Sequence, residues 1–96
     1  MRRLSVTAAP HVTLYSSPGC RLCDRARAVL EAVRAEQPFD FREVDISRDD
    51  ELEARYRELL PVVDVEGRRR FVYFVPPDAL KRALADAQTE RAEPGL

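Results

Sequence analysis

The sequence predicts an α/β fold: a mixed four-stranded sheet in the order β-α-β-α-β-β-α, with helices on both faces. Three observations carry this. Apolar residues recur with a period of two, or in short continuous runs, in four segments and at helical spacing in three longer ones. A helical segment separates the first two strands, and such a crossover requires them to be parallel. The last two strands flank Glu66-Gly67 and the arginines that follow, which reads as a hairpin and makes that pair antiparallel. A chain of 96 residues has room for one core. One domain over residues 1–96 is therefore expected, with its core at about 10–87 and flexible tails at 1–9 and 88–96.

The first strand covers residues 11–16, where Val12 and Leu14 alternate with Thr13 and Tyr15, and it stops at the turn cluster Ser16-Ser17-Pro18-Gly19. Leu22, Ala26, Val29, Leu30 and Val33 then share one face of a helix from about Cys20 to Glu36, with Arg25, Arg27, Glu31 and Arg34 on the others. Pro38 disfavours continuation. Phe39 to Ile46 follow as a strand apolar on both faces, Phe39 and Phe41 on one parity and Val44 and Ile46 on the other. Ser47 or Asp49 caps a second helix, whose inner stripe is Leu52, Tyr56 and Leu59 and which Pro61 terminates. Val62, Val63 and Val65 begin the third strand. Arg68-Arg69-Arg70 falls in the solvated hairpin turn, and Phe71 to Val75 form the fourth strand. Pro76-Pro77-Asp78 opens the last helix, where a proline in the first turn forfeits no hydrogen bond, and Leu80, Ala83, Leu84 and Ala87 form its stripe.

Composition excludes several functions. With 45% hydrophobic and 34% charged residues the chain has enough apolar surface to fold by itself. Sixteen Lys and Arg against seventeen Asp and Glu give a net charge of −1, so no global field draws it to nucleic acid or an anionic membrane, and neither is expected as a partner. No apolar run approaches the roughly 20 residues of a membrane span. The stretch Met1 to Pro10 is too short and too weakly apolar for a secretory signal, so a soluble, cytoplasmic protein is expected.

Both cysteines lie in Cys20-Arg21-Leu22-Cys23, a spacing that in a chain without an export signal points to redox or metal chemistry before a structural staple. A disulfide closing so short a loop stabilises a fold by only roughly 2 kcal/mol. A structural zinc site takes four ligands, and this chain offers two cysteines and His11. At 3.3 Å per residue, His11 lies about 17 Å from the strand end that carries Cys20, too far to join it. The remaining metal reading is a cluster completed by a second molecule.

The predicted order sets the pair at the C-terminal end of the first strand and the N-terminus of the first helix, the end at which α/β sheets bind ligands. Unpaired first-turn amides and the positive end of the helix dipole favour a thiolate at Cys20. Arg21 adds to that effect and Asp24 opposes it. Cys23, one turn further in, is expected to be less exposed and to reach back to Cys20. Cys20 would then attack a disulfide and Cys23 would resolve the mixed disulfide that results.

Through Val12-Thr13-Leu14-Tyr15-Ser16-Ser17-Pro18-Gly19-Cys20-Arg21-Leu22-Cys23 and Leu60-Pro61-Val62, the sequence resembles the glutaredoxin-like branch of the thioredoxin superfamily over about residues 10–87. The resemblance implies a thioredoxin-like fold, a cis Pro61 lying against the cysteines, and a backbone at Leu60 that pairs with an extended substrate. Three departures bear on the chemistry. Arg21-Leu22 stands where the family usually has Pro-Tyr or a similar pair, altering redox poise and the rim of the site. Ser17 stands where many members carry a lysine for a glutathione carboxylate. Pro76-Pro77-Asp78 replaces the Gly-Gly segment and nearby Asp that hold the γ-glutamyl end of glutathione, which removes two backbone donors and leaves Asp78 as the candidate contact.

The reading is a thiol-disulfide oxidoreductase of glutaredoxin type, with Cys20 and Cys23 catalytic and Leu60, Pro61, Arg21, Leu22 and Asp78 at the substrate site. It is expected to act as a monomer on protein or glutathione mixed disulfides, with no built-in cofactor or metal and with glutathione or a reductase as electron donor. Two other readings compete. One is a non-catalytic thioredoxin-fold module that holds a partner strand near Leu60 and Pro61. The other is an iron-sulfur carrier in which two chains share a cluster through Cys20, with or without glutathione.

Overall fold

The computed structural model describes residues 9–92, so residues 1–8 of the expected N-terminal tail and residues 93–96 lie outside the described residues. The elements are β1 (His11–Ser16), α1 (Arg21–Glu36), β2 (Asp40–Asp45), α2 (Asp50–Tyr56), β3 (Val62–Val65), β4 (Arg68–Val72) and α3 (Pro77–Ala92), with a 3-10 turn at Ile46–Arg48. The sheet runs β2-β1-β3-β4. β1 is parallel to β2 and antiparallel to β3, and β3 is antiparallel to β4, as the crossover and the hairpin require.

Strand parity divides the core in two. Val12, Leu14, Val63 and Val65 face α1 and α3 and pack with Ala26, Leu30, Val33, Leu80, Ala83, Leu84 and Ala87. Tyr15, Val62 and Val72 face the other way, onto Tyr56 and Leu52 of α2 and onto Ile46. Leu30 of α1 and Leu80 of α3 are fully excluded from water, and each contributes about 2 kcal/mol by burial. α1 and α3 therefore hold one face of the sheet and the shorter α2 the other.

Several boundaries depart from the sequence expectation. β2 is an edge strand with no fully buried residue of its own; the buried apolar positions, Phe39 and Ile46, flank it and close one cluster each. α2 ends at Tyr56 rather than Leu59, because the chain leaves the helix in a turn closed by Leu59 N–H to Tyr56 O at 2.8 Å ahead of Pro61. Leu59 still packs where the stripe puts it. Arg68-Arg69-Arg70 is strand, not turn. Glu66 and Gly67, at φ 53° and 79°, complete a two-residue reversal on their own, so pairing resumes at Arg68 opposite Val65. β4 accordingly ends at Val72 and not Val75. α3 continues to Ala92, past the expected end of the core, since Gln88 to Ala92 contain no Gly or Pro to break it.

Candidate active site

β1 delivers the chain to the ligand end of the sheet, and Ser17-Pro18-Gly19-Cys20 turns it into α1. Gly19 sits at φ 80°, and Cys20 N–H donates to Ser17 O at 3.3 Å. This is the type II pattern, with proline at the second position and glycine at the third, where positive φ is required. Cys20 is thereby the N-cap of α1, not its first helical residue, and its Sγ accepts from the Cys23 amide at 3.0 Å. The two cysteines form a disulfide across a Cα separation of 5.2 Å. Their surroundings differ as the sequence predicts: Cys20 is half-buried and Cys23 fully buried.

The other predicted residues gather at the same end to different degrees. Leu22 stands between the cysteines and is 42% exposed. Arg21 is exposed, while the carboxylate of Asp24 is taken up by Arg27 at 2.9 Å. Because Tyr15 pairs with Val62 in antiparallel register, Leu60-Pro61 lies just beyond β3 at the end where β1 turns into the cysteine loop. The Leu60-Pro61 bond is cis, Pro61 is buried and Leu60 half-buried. Asp78 lies in the exposed first turn of α3, and its carboxylate makes no hydrogen bond or ion pair among the described residues. His11 is exposed at the opposite end of β1, with Nδ1 3.3 Å from Asp40. A cleft of about 450 Å³ lies at that end, lined by His11, Val12, Thr13, Asp40, Phe41 and Arg42, and neither cysteine lines it.

Two features of the site escape sequence reasoning. The first is a polar network under the cysteine loop. Buried Ser16 donates its hydroxyl to Glu43 at 2.7 Å, and Arg27 of α1 grips Glu43 through Nε and Nη2 and Asp24 through Nη1. Arg27, and then Ser16, hold the Glu43 carboxyl below the usual carboxylate range. The hydroxyl and amide of Ser47 do the same for Asp45. Ser16, Arg27, Glu43 and Asp45, together with Ser17, Pro18, Gly19 and Asp24, line an open cleft of about 210 Å³, carrying three carboxylates and one guanidinium. The second feature is Tyr73, whose amide donates to Pro61 O at 2.9 Å and whose hydroxyl donates to Glu58 O at 3.1 Å. The alternation of the sequence offers no sign of either, since both depend on which strands meet.

The whole arrangement sets a half-buried sulfur at a helix N-terminus, bonded to a fully buried one, and supports a redox-type role. Among the described residues no group of three or more His, Cys, Asp or Glu is placed to hold a metal ion, and no helix is long and apolar enough to cross a membrane.

Comparison with known proteins gives the same picture. Residues 11–85 match the pattern of the Glutaredoxin-like domain (DUF836). The X-ray structure of structural-genomics target protein XcR50 from X. campestris is similar at 34% identity and TM-score 0.67, covering 79% of this chain and 97% of that one. The solution structure of protein Ne2328 from Nitrosomonas europaea shares the fold at 22% identity and TM-score 0.72, over 88% and 99% of the two chains. A thioredoxin from Halobacterium salinarum, solved as a mutant, shares it at 15% identity and TM-score 0.65, over 84% and 76%. No curated protein matches.

Proposed function

This chain belongs to the glutaredoxin-like domain family, and from that premise we propose that it is a thiol-disulfide oxidoreductase in which Cys20 attacks and Cys23 resolves. The observation that carries the reading is the unequal pair itself: Cys20, only half-buried, receives the Cys23 amide on its Sγ at the head of α1, while Cys23 is closed off from solvent. In the reduced protein the same amide and the helix terminus stabilise a thiolate on Cys20.

The Cys20 thiolate attacks one sulfur of a substrate disulfide. That S–S bond breaks, the departing sulfur leaves as a thiolate that takes a proton from water, and a Cys20–substrate disulfide forms. Cys23 gives up its proton and attacks Cys20 Sγ, expelling the second substrate thiolate and forming the Cys20–Cys23 disulfide. Two electrons pass from the protein to the substrate. A thiol donor, two glutathione molecules or a dithiol reductase, returns them by the reverse exchange, and no bound cofactor is needed. Leu60, on the extended segment ahead of Pro61, offers backbone groups to the substrate chain, and Arg21 and Leu22 form the near rim. A monomer in the cytoplasm, where thiol donors abound, fits this cycle.

Single-cysteine variants test it. Cys20→Ser is expected to abolish disulfide reduction, and Cys23→Ser to accumulate a covalent mixed disulfide visible by non-reducing electrophoresis. Wild-type activity in both variants would refute the reading.

A further inference from the structure

The large apolar side chains left exposed among the described residues are Leu22, Tyr73 and Phe74, at 42%, 45% and 68%. All three belong to the redox end of the sheet, where β1 and β4 finish and β3 begins. Leu22 lies between the cysteines, and Tyr73 is bonded through its amide to Pro61 O.

The backbone that presents Phe74 is unusual. Phe74 N–H donates to Val72 O at 2.8 Å, closing a three-residue turn about Tyr73 at φ 73°. That is the rarer hand of this turn, and a bulky residue there is an outlier. Two bonds hold it, Tyr73 amide to Pro61 O and Tyr73 hydroxyl to Glu58 O. The turn ends β4 and leaves Phe74 in solvent, while Val75, its neighbour, enters the core at 5% exposure. Packing does not require an aromatic residue at 74, and backbone outliers of this kind gather at binding sites.

The opposite flank of the cysteine loop is acidic. Asp24, Glu43 and Asp45 line that cleft, and its one cation, Arg27, is already bonded to two of them. Glutathione carries two carboxylates and one ammonium group, so this flank disfavours it.

Resting on the disulfide-exchange reading above, we propose that Phe74 and Leu22 form an apolar rim that selects protein disulfides whose cysteine adjoins a large apolar residue, in preference to glutathione disulfide. The occupant is an extended protein segment, its reacting cysteine at Cys20 and its apolar neighbour against Phe74. Tyr73 is a positioning residue that fixes this rim to the Pro61 segment.

The test uses the full chain, reduced and freed of reductant, in single-turnover reaction with three disulfides. These are a peptide with phenylalanine beside its cysteine, the same peptide with serine there, and glutathione disulfide. The phenylalanine peptide is expected to react roughly tenfold faster than the serine peptide, as for burial of one aromatic anchor, and faster than glutathione disulfide. In Phe74→Ser the ratio between the two peptides is expected to fall toward one, with circular dichroism confirming the fold. Equal rates for the two peptides in the wild-type chain, an unchanged ratio in Phe74→Ser, or glutathione disulfide reacting fastest would overturn the rim. Wild-type protein inert toward all three would overturn the exchange reading and the rim with it.

Discussion

Glu43 shows how single side chains near the cysteines are balanced. Its carboxylate accepts from Ser16 and from Arg27, tying β1, β2 and α1 together beneath the loop that carries Cys20. Its pKa is lowered in the folded protein, first by Arg27 and then by Ser16. The stability it supplies is therefore complete above the ordinary glutamate value of about 4.3 and is lost as pH falls through the lowered folded value. Its side chain is 29% exposed, so solvent screens part of the effect. Glu43→Gln is expected to cost about 1 kcal/mol at pH 7. The gap to wild type should close below about pH 4, as the native carboxylate protonates. Urea denaturation at the two pH values checks this, and a pH-independent difference would assign the loss to packing instead. The place of the cysteines was legible from residues alone, because strand, Pro-Gly turn and amphipathic helix follow one another in the chain. The grip of Arg27 on Glu43 was not, since it depends on the parallel register that sets Leu14 beside Glu43.

Among the elements, α2 is the short piece whose Tyr56 shares a core cluster with Leu59, Leu60 and Val72. Seven residues make a marginal helix, and Asp49 supplies what propensity does not: its Oδ1 accepts from the amides of Glu51 and Leu52 at 2.9 and 3.1 Å. Asp49→Ala is expected to cost about 1 kcal/mol and lower the melting temperature by about 4–8 °C. A melting temperature equal to wild type would show that packing of Tyr56 on Tyr15, with ring centroids 4.6 Å apart, holds α2 without its cap. Between Asp49 and Ser47 the sequence left the cap open; the structure gives it to Asp49, and Ser47 instead bonds Asp45. The hairpin was the least legible element. Phe71 to Val75 are apolar at every position, so no alternation marks where the strand stops. The positive φ of Tyr73 is fixed by Pro61 and Glu58, partners remote in sequence.

For the whole molecule, the topology followed from few rules. A crossover helix made β1 and β2 parallel, a turn made β3 and β4 antiparallel, and strand parity allotted apolar residues to two clusters on opposite faces. That architecture brings the end of β1, the start of β3 and the end of β4 to one edge, which carries the cysteines, Pro61 and the Tyr73-Phe74 turn although 54 positions separate Cys20 from Phe74. This edge is the proposed exchange site for disulfides, and its redox competence is read from the reduction potential of the Cys20/Cys23 pair, by alkylation and mass shift across graded thiol redox buffers. A reversible two-electron transition between about −180 and −270 mV, the range of thiol-disulfide exchange proteins, is expected. A pair that forms no internal disulfide in any buffer would rule out the exchange cycle.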